Sequence, residues 1–303
     1  MLHTSTVSEL NERNLSTALA AVQVERLANS DRAEVLQFLA QRPIHTVAMM
    51  SLIQDNGIVS RFNRGTFYGC RDLQGQLEGV ALVGHATLME TISDRALAAL
   101  AQVARECPST HLIMGEKERV ADFWSHYSEA GRRHRLACRE WLFELTRPGD
   151  SREAVMELRS AKVAELELVM PIQAQLAFME SRVDPMEVDP QGFRERCLRR
   201  IEQGRTWVVV EKGELIFKAD VVSKTAEVNY LEGVWLHEDC RHKNLGTRFM
   251  SGLMRRLLED TRSICLLVNE TNEWAQGFYR KCGFHFRATY ETIFLPRKEP
   301  AQN

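Results

Sequence analysis

The chain has 303 residues, a length for one large domain or two of ordinary size, and two is the expectation. Its 39 lysines and arginines against 41 acidic residues leave a net charge of −2, which gives no broad basic face for nucleic acid or an anionic membrane. No apolar run approaches the ~20 residues of a membrane span. The N-terminus has no basic segment followed by an apolar one, and the seven cysteines include no C-x-x-C pair, so buried thiols in a reducing cytoplasm are expected.

Residues 1–19 read as an N-terminal extension. "AVQVERL" (21–27) is a strand, and Asn29-Ser30-Asp31 caps the helix "RAEVLQFLAQ". A second helix covers roughly 45–54. "GTFYGCRDLQGQLEGVALVG" is a hairpin turning at Gln74-Gly75, followed by the strand "ATLMET". "DRALAALAQVARE" is a helix, "HLIMGE" a strand, "RVADFWSHYSEA" a helix and "LACREWLFEL" a closing strand. Pro148-Gly149-Asp150 then marks a linker over 148–153.

The same order of elements returns after it. "AVMELRS" (154–160) is a strand, and two helices follow, the second opened by Asp189-Pro190. "TWVVVEKGELIFKADVVS" is a hairpin around Lys212-Gly213, and "AEVNYLEGVWL" is the next strand. "NLGTRFMSGLMRRLLED" puts Leu245, Phe249, Met250, Leu253, Met254, Leu257 and Leu258 at helical spacing. "SICLLVN", the helix "TNEWAQGFYRKCG" and the strand "FHFRATYETIFL" complete the half. Both halves therefore read β-α-α-β-β-β-α-β-α-β. The shared "LEGV" at 77–80 and 231–234 is out of register, because the second copy lies one strand later in its half.

Chemistry concentrates in "CRHKNLGTRFM" (240–250), where a strand turns into a helix. Such a join gathers free N–H groups at the positive end of the helix dipole and suits an anion. Gly246 offers conformational freedom and no bulk, and asparagine is the residue next most tolerant of a left-handed backbone, so Asn244 can stand where a second glycine is expected. Arg241, Lys243 and Arg248 add positive charge. Alone, the stretch reads equally well as a basic turn. Glu232, late in the preceding strand, is a candidate general base, with a glutamate that faces solvent or pairs with an arginine as the alternative; His237 is a weaker candidate. No metal-ligand spacing and no G-x-S-x-G elbow occurs, so no metal is expected.

Taken together, "EGVWLHED" (232–239), Arg241-His242-Lys243-Asn244-Leu245-Gly246 and "LLVNETNEWAQGFYRKCGF" (266–284) resemble the GNAT superfamily of acyl-CoA-dependent N-acyltransferases, over roughly residues 154–295. Asn269, Asn272, Ala275, Tyr279, Gly283 and Phe284 carry the downstream match. The loop departs from the pattern R/Q-x-x-G-x-G/A at Asn244. The resemblance implies an α+β fold of tandem GNAT-like domains, each a mixed, mostly antiparallel sheet flanked by helices, with the catalytic one at 154–303 and its fourth and fifth strands splayed. It implies acetyl-CoA as co-substrate, its pantetheine on the backbone of Val234, Trp235 and Leu236. The pyrophosphate would lie on Arg241, His242, Lys243, Asn244, Leu245, Gly246 and Thr247, with Asn269 and Asn272 beside it. Tyr279 would donate to the departing thiolate, or else merely pack beside Phe278. The acceptor would be a primary amine on a small molecule or peptide, with no nucleic acid and no membrane involved; monomer and homodimer stay open.

The matching join of the first half, "TLMETISDRALAAL" (87–100), has no glycine, carries Glu90 and Asp94, and offers Ser93 or Asp94 as a helix cap. Residues 20–147 thus resemble a degenerate GNAT-like partner domain without the CoA loop. Two other functions remain on the table: a non-catalytic acyl-CoA-binding regulatory module, and a tandem GNAT-like aminoacyl transferase, which the lack of a basic surface and a long helical arm disfavours.

Overall fold

A computed structural model describes residues 22–128, 131–147, 155, 157–241 and 243–296. The N-terminal extension, the linker at 148–153 and His242 lie outside the described residues. Contacts divide the chain into two units, Met1–Arg139 with Tyr290–Asn303, and Glu140–Thr289.

The first unit holds β1 (Val22–Arg26), α1 (Arg32–Leu39), α2 (Pro43–Asn56), β2 (Gly65–Asp72), β3 (Leu77–Gly84), β4 (Ala86–Thr91), α3 (Asp94–Glu106), β5 (Leu112–Glu116) and α4 (Lys117–Tyr127). Its strands lie in chain order, antiparallel except for the β4–β5 pair. Beyond β5 comes Tyr290–Phe294, antiparallel to it. The hairpin turns at Gly75, whose φ of 82° only glycine adopts easily. One hydrophobic cluster gathers Leu97 and Leu100 of α3 with Val120 and Phe123 of α4; a second gathers Val35, Leu39, Met49 and Ile53 of α1 and α2 with Phe67 of β2.

The second unit begins within β6 (Leu136–Leu145) and continues through β7 (Arg159–Ser160), α5 (Leu166–Ser181), the single turn α6 (Pro185–Val188), α7 (Pro190–Glu202), β8 (Thr206–Glu211), β9 (Glu214–Lys224) and β10 (Val228–Leu236). Then come α8 (Leu245–Leu257), β11 (Ser263–Asn269), α9 (Glu273–Lys281) and the first residues of β12 (His285–Phe294). The strand order is β6-β11-β10-β9-β8-β7, with β10–β11 the one parallel pair. Lys212 (φ 51°) and Gly213 (φ 87°) turn the β8–β9 hairpin where the sequence places it. Asp189 caps α7 by accepting from the Gly192 N–H at 3.0 Å.

Helix α8 buries Phe249, Met250, Leu253, Met254 and Leu257 on one face, at roughly 1.5–3 kcal/mol each as an upper estimate. That face fixes the helix on the sheet, and with it the loop that opens the helix. The strand expected over 154–160 is shorter than its pattern suggests. Among the described residues of that stretch only Arg159–Ser160 pairs, because Leu158 N–H closes a turn on the Val155 carbonyl (3.3 Å) and both side chains bury. Among the described residues, no helix is long and apolar enough to cross a membrane.

Candidate active site

The central feature of the second unit is where two neighbouring strands stop pairing. β10 and β11 pair from Val228–Ser263 to Leu231–Leu266, and both strands run on beyond that point without pairing. Against β9, the register jumps from Glu232↔Asp220 to Trp235↔Lys218. Gly233 sits in this bulge at φ +59°, a conformation that a glycine tolerates and that bends the strand. Val234 and Leu236 pack on the main core of the unit, and Trp235 packs on the cluster built by α5 and α7. The side chains thus anchor the strand, while its β11-facing edge offers backbone groups that seek a partner.

The loop continues from that edge. Arg241, Lys243 and Asn244 are exposed. Asn244 adopts φ 58°, ψ 4°, the left-handed conformation that its residue type allows. Its side chain makes no cap for α8; Oδ1 instead accepts from Lys281 Nζ at 3.3 Å. The first bond of the helix runs from Arg248 N–H to the Asn244 carbonyl (3.1 Å), so the N–H groups of Leu245, Gly246 and Thr247 precede the ladder. Arg241 and Lys243 precede them in the loop and Lys281 reaches Asn244, so positive charge gathers at the helix start, which suits an anion. At Gly246 the lack of bulk is what the packing uses. A Cβ there would lie 3.3 Å from Leu236 Cδ2 and 3.4 Å from Phe278 Cε2, so the glycine lets the helix start close against β10 and α9. Arg248 leans away, 3.6 Å from Glu157.

Asn269 and Asn272 shape the next loop. Asn269 Oδ1 accepts from Thr271 N–H (2.9 Å) and Oγ1 (2.7 Å), and Asn272 Oδ1 caps α9 by accepting from Ala275 N–H at 3.1 Å. Buried Gln276, which sequence reasoning passed over, donates to the Glu270 carbonyl at 2.8 Å and ties α9 to the end of β11. His237 is likewise a turn cap, its Nδ1 accepting from Asp239 N–H at 3.3 Å.

Tyr279 is half-buried, edge-on to Phe278 and Phe284 with ring centroids 5.2 and 5.7 Å away. Burial, with a smaller push from Cys282, raises its hydroxyl pKa, so the phenol stays protonated well above neutral pH. Among the described residues none hydrogen-bonds that hydroxyl.

Glu232 has a carboxyl pKa raised above its usual range. Loss of solvent is the largest cause; the charge of Arg200 and a hydrogen bond from the Tyr230 hydroxyl oppose it. Glu180, on α5, is raised too, by desolvation and then by the charges of Glu232 and Glu140.

Beneath the bulge lies a group that sequence reasoning missed. Lys218 is fully buried, and its Nζ donates to Asp220 Oδ2 (2.6 Å), Gln173 Oε1 (2.6 Å) and the Gly233 carbonyl (3.3 Å). Asp220 also accepts from Arg200 Nη1 (3.1 Å) and Thr206 Oγ1 (2.8 Å). The available signal was "LIFKADVV": two charges two residues apart share one face of an otherwise apolar strand. Among the described residues, no group of three or more His, Cys, Asp or Glu could hold a metal ion.

Comparison with known proteins agrees with this geometry. Residues 174–284 match the family model described as the acetyltransferase (GNAT) family. These residues form a GNAT-family acetyltransferase domain. The GNAT match runs from within α5 to Phe284, just before β12, and so includes the bulge, the loop and Tyr279. Similar solved structures include a Drosophila protein (TM-score 0.62, 10% identity, covering 91% of this chain and 99% of that one). A GNAT-family acetyltransferase from Colwellia psychrerythraea gives a TM-score of 0.58 at 9% identity, covering 90% and 100%. A tandem GNAT protein from the clavulanic acid biosynthesis pathway gives 0.54 at 13% identity, covering 92% and 100%. At such identities the likeness shows the fold, which is a mixed α+β one with a mostly antiparallel open sheet flanked by helices. No curated protein matches the chain in sequence.

Proposed function

We propose that the second unit transfers an acetyl group from acetyl-CoA to a primary amine by direct attack in a ternary complex. The observation that carries this reading is the loss of β10–β11 pairing after Leu231 and Leu266, which leaves a strand edge open and leads into an uncapped helix start. Pantetheine amides would pair with the backbone of Val234, Trp235 and Leu236, and the pyrophosphate would take the N–H groups of 242–247 with Arg241 and Lys243. Asn269 and Asn272 have their carbonyl oxygens engaged within their own loop, so their amide nitrogens are what they would offer.

Glu232 takes a proton from the ammonium of the acceptor, directly or through one water. The neutral amine attacks the thioester carbonyl, the C–N bond forms and the C–S bond breaks. The thiolate takes a proton from Tyr279, and the phenol recovers one, directly or through water, from the new amide nitrogen, which sheds its second proton as the C–S bond breaks. Acyl transfer is what the family match supports; the amine acceptor and the acetyl donor are our reading. Because Glu232 must be ionised to act and its pKa is raised, kcat/KM should rise with pH above the ordinary carboxylate range. The first unit, in this reading, is a GNAT-like partner that holds no CoA.

The test is to incubate the purified chain with acetyl-CoA and a panel of small amines and N-terminal peptides while following free CoA thiol. Turnover of at least one acceptor is expected, with Glu232→Gln lowering kcat by about a hundredfold. Calorimetric CoA binding with no turnover across the panel would favour a non-catalytic acyl-CoA module. No CoA binding at all would sink both readings.

A further inference from the structure

We propose that Lys218 is a positioning residue: from behind β10 it holds the Gly233 carbonyl, and thereby aims the Val234 N–H at the acyl carbonyl in the splay. The inference rests on the acetyl-CoA reading and adds a part that reading does not need.

The three ammonium protons of Lys218 have three acceptors: Asp220, Gln173 and the Gly233 carbonyl. None of these comes from solvent, since Lys218 is 0% exposed and Asp220 1% exposed. A buried ammonium is costly unless paired, and Asp220, itself held by Arg200 and Thr206, supplies the pairing. Two of the three bonds fix the ammonium; the third is spent on a backbone carbonyl of the bulge.

Gly233 is the residue at which that bond acts. It lies in the register shift at φ +59°, and its carbonyl accepts from Lys218 Nζ at 3.3 Å. In a trans peptide the C=O and the following N–H point in opposite directions. A carbonyl drawn toward Lys218 therefore sends the Val234 N–H away from it, and the ladder with β9 resumes only at Trp235↔Lys218. A Cβ at 233 would lie 2.9 Å from both Lys218 Nζ and Gln173 Oε1, so a side chain there would displace the ammonium and the amide from their present positions. A buried charge thus holds the bulge at Gly233, in addition to the apolar packing of Val234, Trp235 and Leu236. A preset N–H facing a carbonyl that gains negative charge during attack is worth most when it need not reorganise. Lys218 touches no reacting atom; it sets the atom that does.

The experiment reads the thioester directly and needs no acceptor. Acetyl-CoA labelled with carbon-13 at the thioester carbonyl is bound to the protein, and its C=O stretch is compared with free acetyl-CoA by difference infrared spectroscopy. The wild type should show a shift to lower wavenumber. Lys218→Met should lose most of that shift while its acetyl-CoA Kd changes by less than about threefold, because pyrophosphate contacts dominate affinity. The double variant Lys218→Met/Asp220→Asn removes one charge of each sign. If Lys218 only balanced Asp220, the double variant would regain the shift; positioning requires that it stay lost, and Lys218→Arg should recover part of it. Should these variants not fold, valine-labelled wild type suffices. The Val234 amide resonance should move on adding acetyl-CoA and move much less with free CoA. An unshifted carbonyl in wild type, a retained shift in Lys218→Met, or a Val234 amide indifferent to the acetyl group would overturn the inference while leaving the acetyl-CoA reading intact. Failure of the wild type to bind acetyl-CoA would instead remove that reading, and this inference with it.

Discussion

The two units build the same strand-to-helix join in opposite ways. In the first, β4 and β5 pair only from Ala86–Leu112 to Leu88–Met114, as β10 and β11 stop early in the second. There the likeness ends. Ser93 Oγ accepts from Ala96 N–H at 3.2 Å and so caps α3, while Arg119 takes the Thr91 carbonyl at 2.7 Å and Asp94 at 3.2 Å. Arg42 bridges Glu90 (3.2 Å) and Glu116 (2.6 Å) where those strands part. The tyrosines differ too: Tyr127 is buried and accepts from Arg132 Nη1 at 3.1 Å, whereas the Tyr279 hydroxyl has no such partner among the described residues. The first unit caps the helix at its join with a side chain; in the second, the Asn244 side chain makes no such cap. An anion site is as much a matter of what does not cap a helix as of what lines it.

The comparison is most exposed to a charge placed at the open join. Gly246→Glu puts a carboxylate at the helix start and a side chain against Leu236 and Phe278. Acetyl-CoA affinity should fall on the order of a hundredfold or more by calorimetry, with the circular dichroism spectrum retained. Wild-type affinity in this variant would mean that the cofactor uses some other join.

Next in size is Tyr279→Phe. It should lower kcat by about 10- to 100-fold and alter KM far less, since the phenol acts on a charge that forms only during transfer. Equal effects on kcat and KM would make the residue a packing element, as Tyr127 is.

In the first unit, Arg42→Met removes the cation between two carboxylates. Glu90, 8% exposed, already has a raised pKa, from burial first and then from Glu116, with Arg42 opposing. Losing Arg42 raises it further. The folded state then holds a proton that the unfolded chain has released, so the stability of the variant falls as pH rises through that raised value. Because Arg42 is partly exposed, a deficit of about 1–2 kcal/mol at neutral pH is expected, smaller near pH 5, read by urea unfolding at both. Acetyl-CoA binding should be unaffected, which tests whether the first cleft is independent of the cofactor.

The smallest effect is reserved for the loop's one departure. Asn244→Gly should leave acetyl-CoA affinity unchanged or raise it modestly, because glycine keeps the left-handed turn. Asn244→Ala should cost roughly 1 kcal/mol in stability, because alanine keeps the Cβ at φ 58° without the polar side chain that makes the left-handed backbone tolerable for asparagine. A large loss of affinity with glycine would mean that the amide itself, now on Lys281, holds the loop in place.

Much of this was legible in the sequence. Periodicity gave α8 its buried face, Lys212-Gly213 and Gln74-Gly75 gave the hairpins, and asparagine's tolerance of positive φ foretold Asn244. Those are local properties, set by rotamers, backbone sterics and spacing within a few residues. The Asn269 turn and the Asn272 cap are equally local, since each bonds an N–H two or three residues ahead; the close approach at Gly246 was hidden, because it depends on Leu236 and Phe278 brought in from other elements.

Long-range pairing was also beyond local reading. "LACREWLFEL" and "FHFRATYETIFL" are strands by pattern, but nothing in them says which neighbour they join. Glu140–Leu145 pairs with β11 in the second unit, and Tyr290–Phe294 with β5 in the first. By itself, then, the sequence determined the succession of elements, the family pattern and an anion-ready loop. Only the tertiary structure decided that Gln173, Arg200, Lys218 and Asp220 meet beneath Gly233. The reason is physical: a charge in an apolar strand states that a partner must exist, but the partner's identity is fixed by packing between elements far apart in the chain.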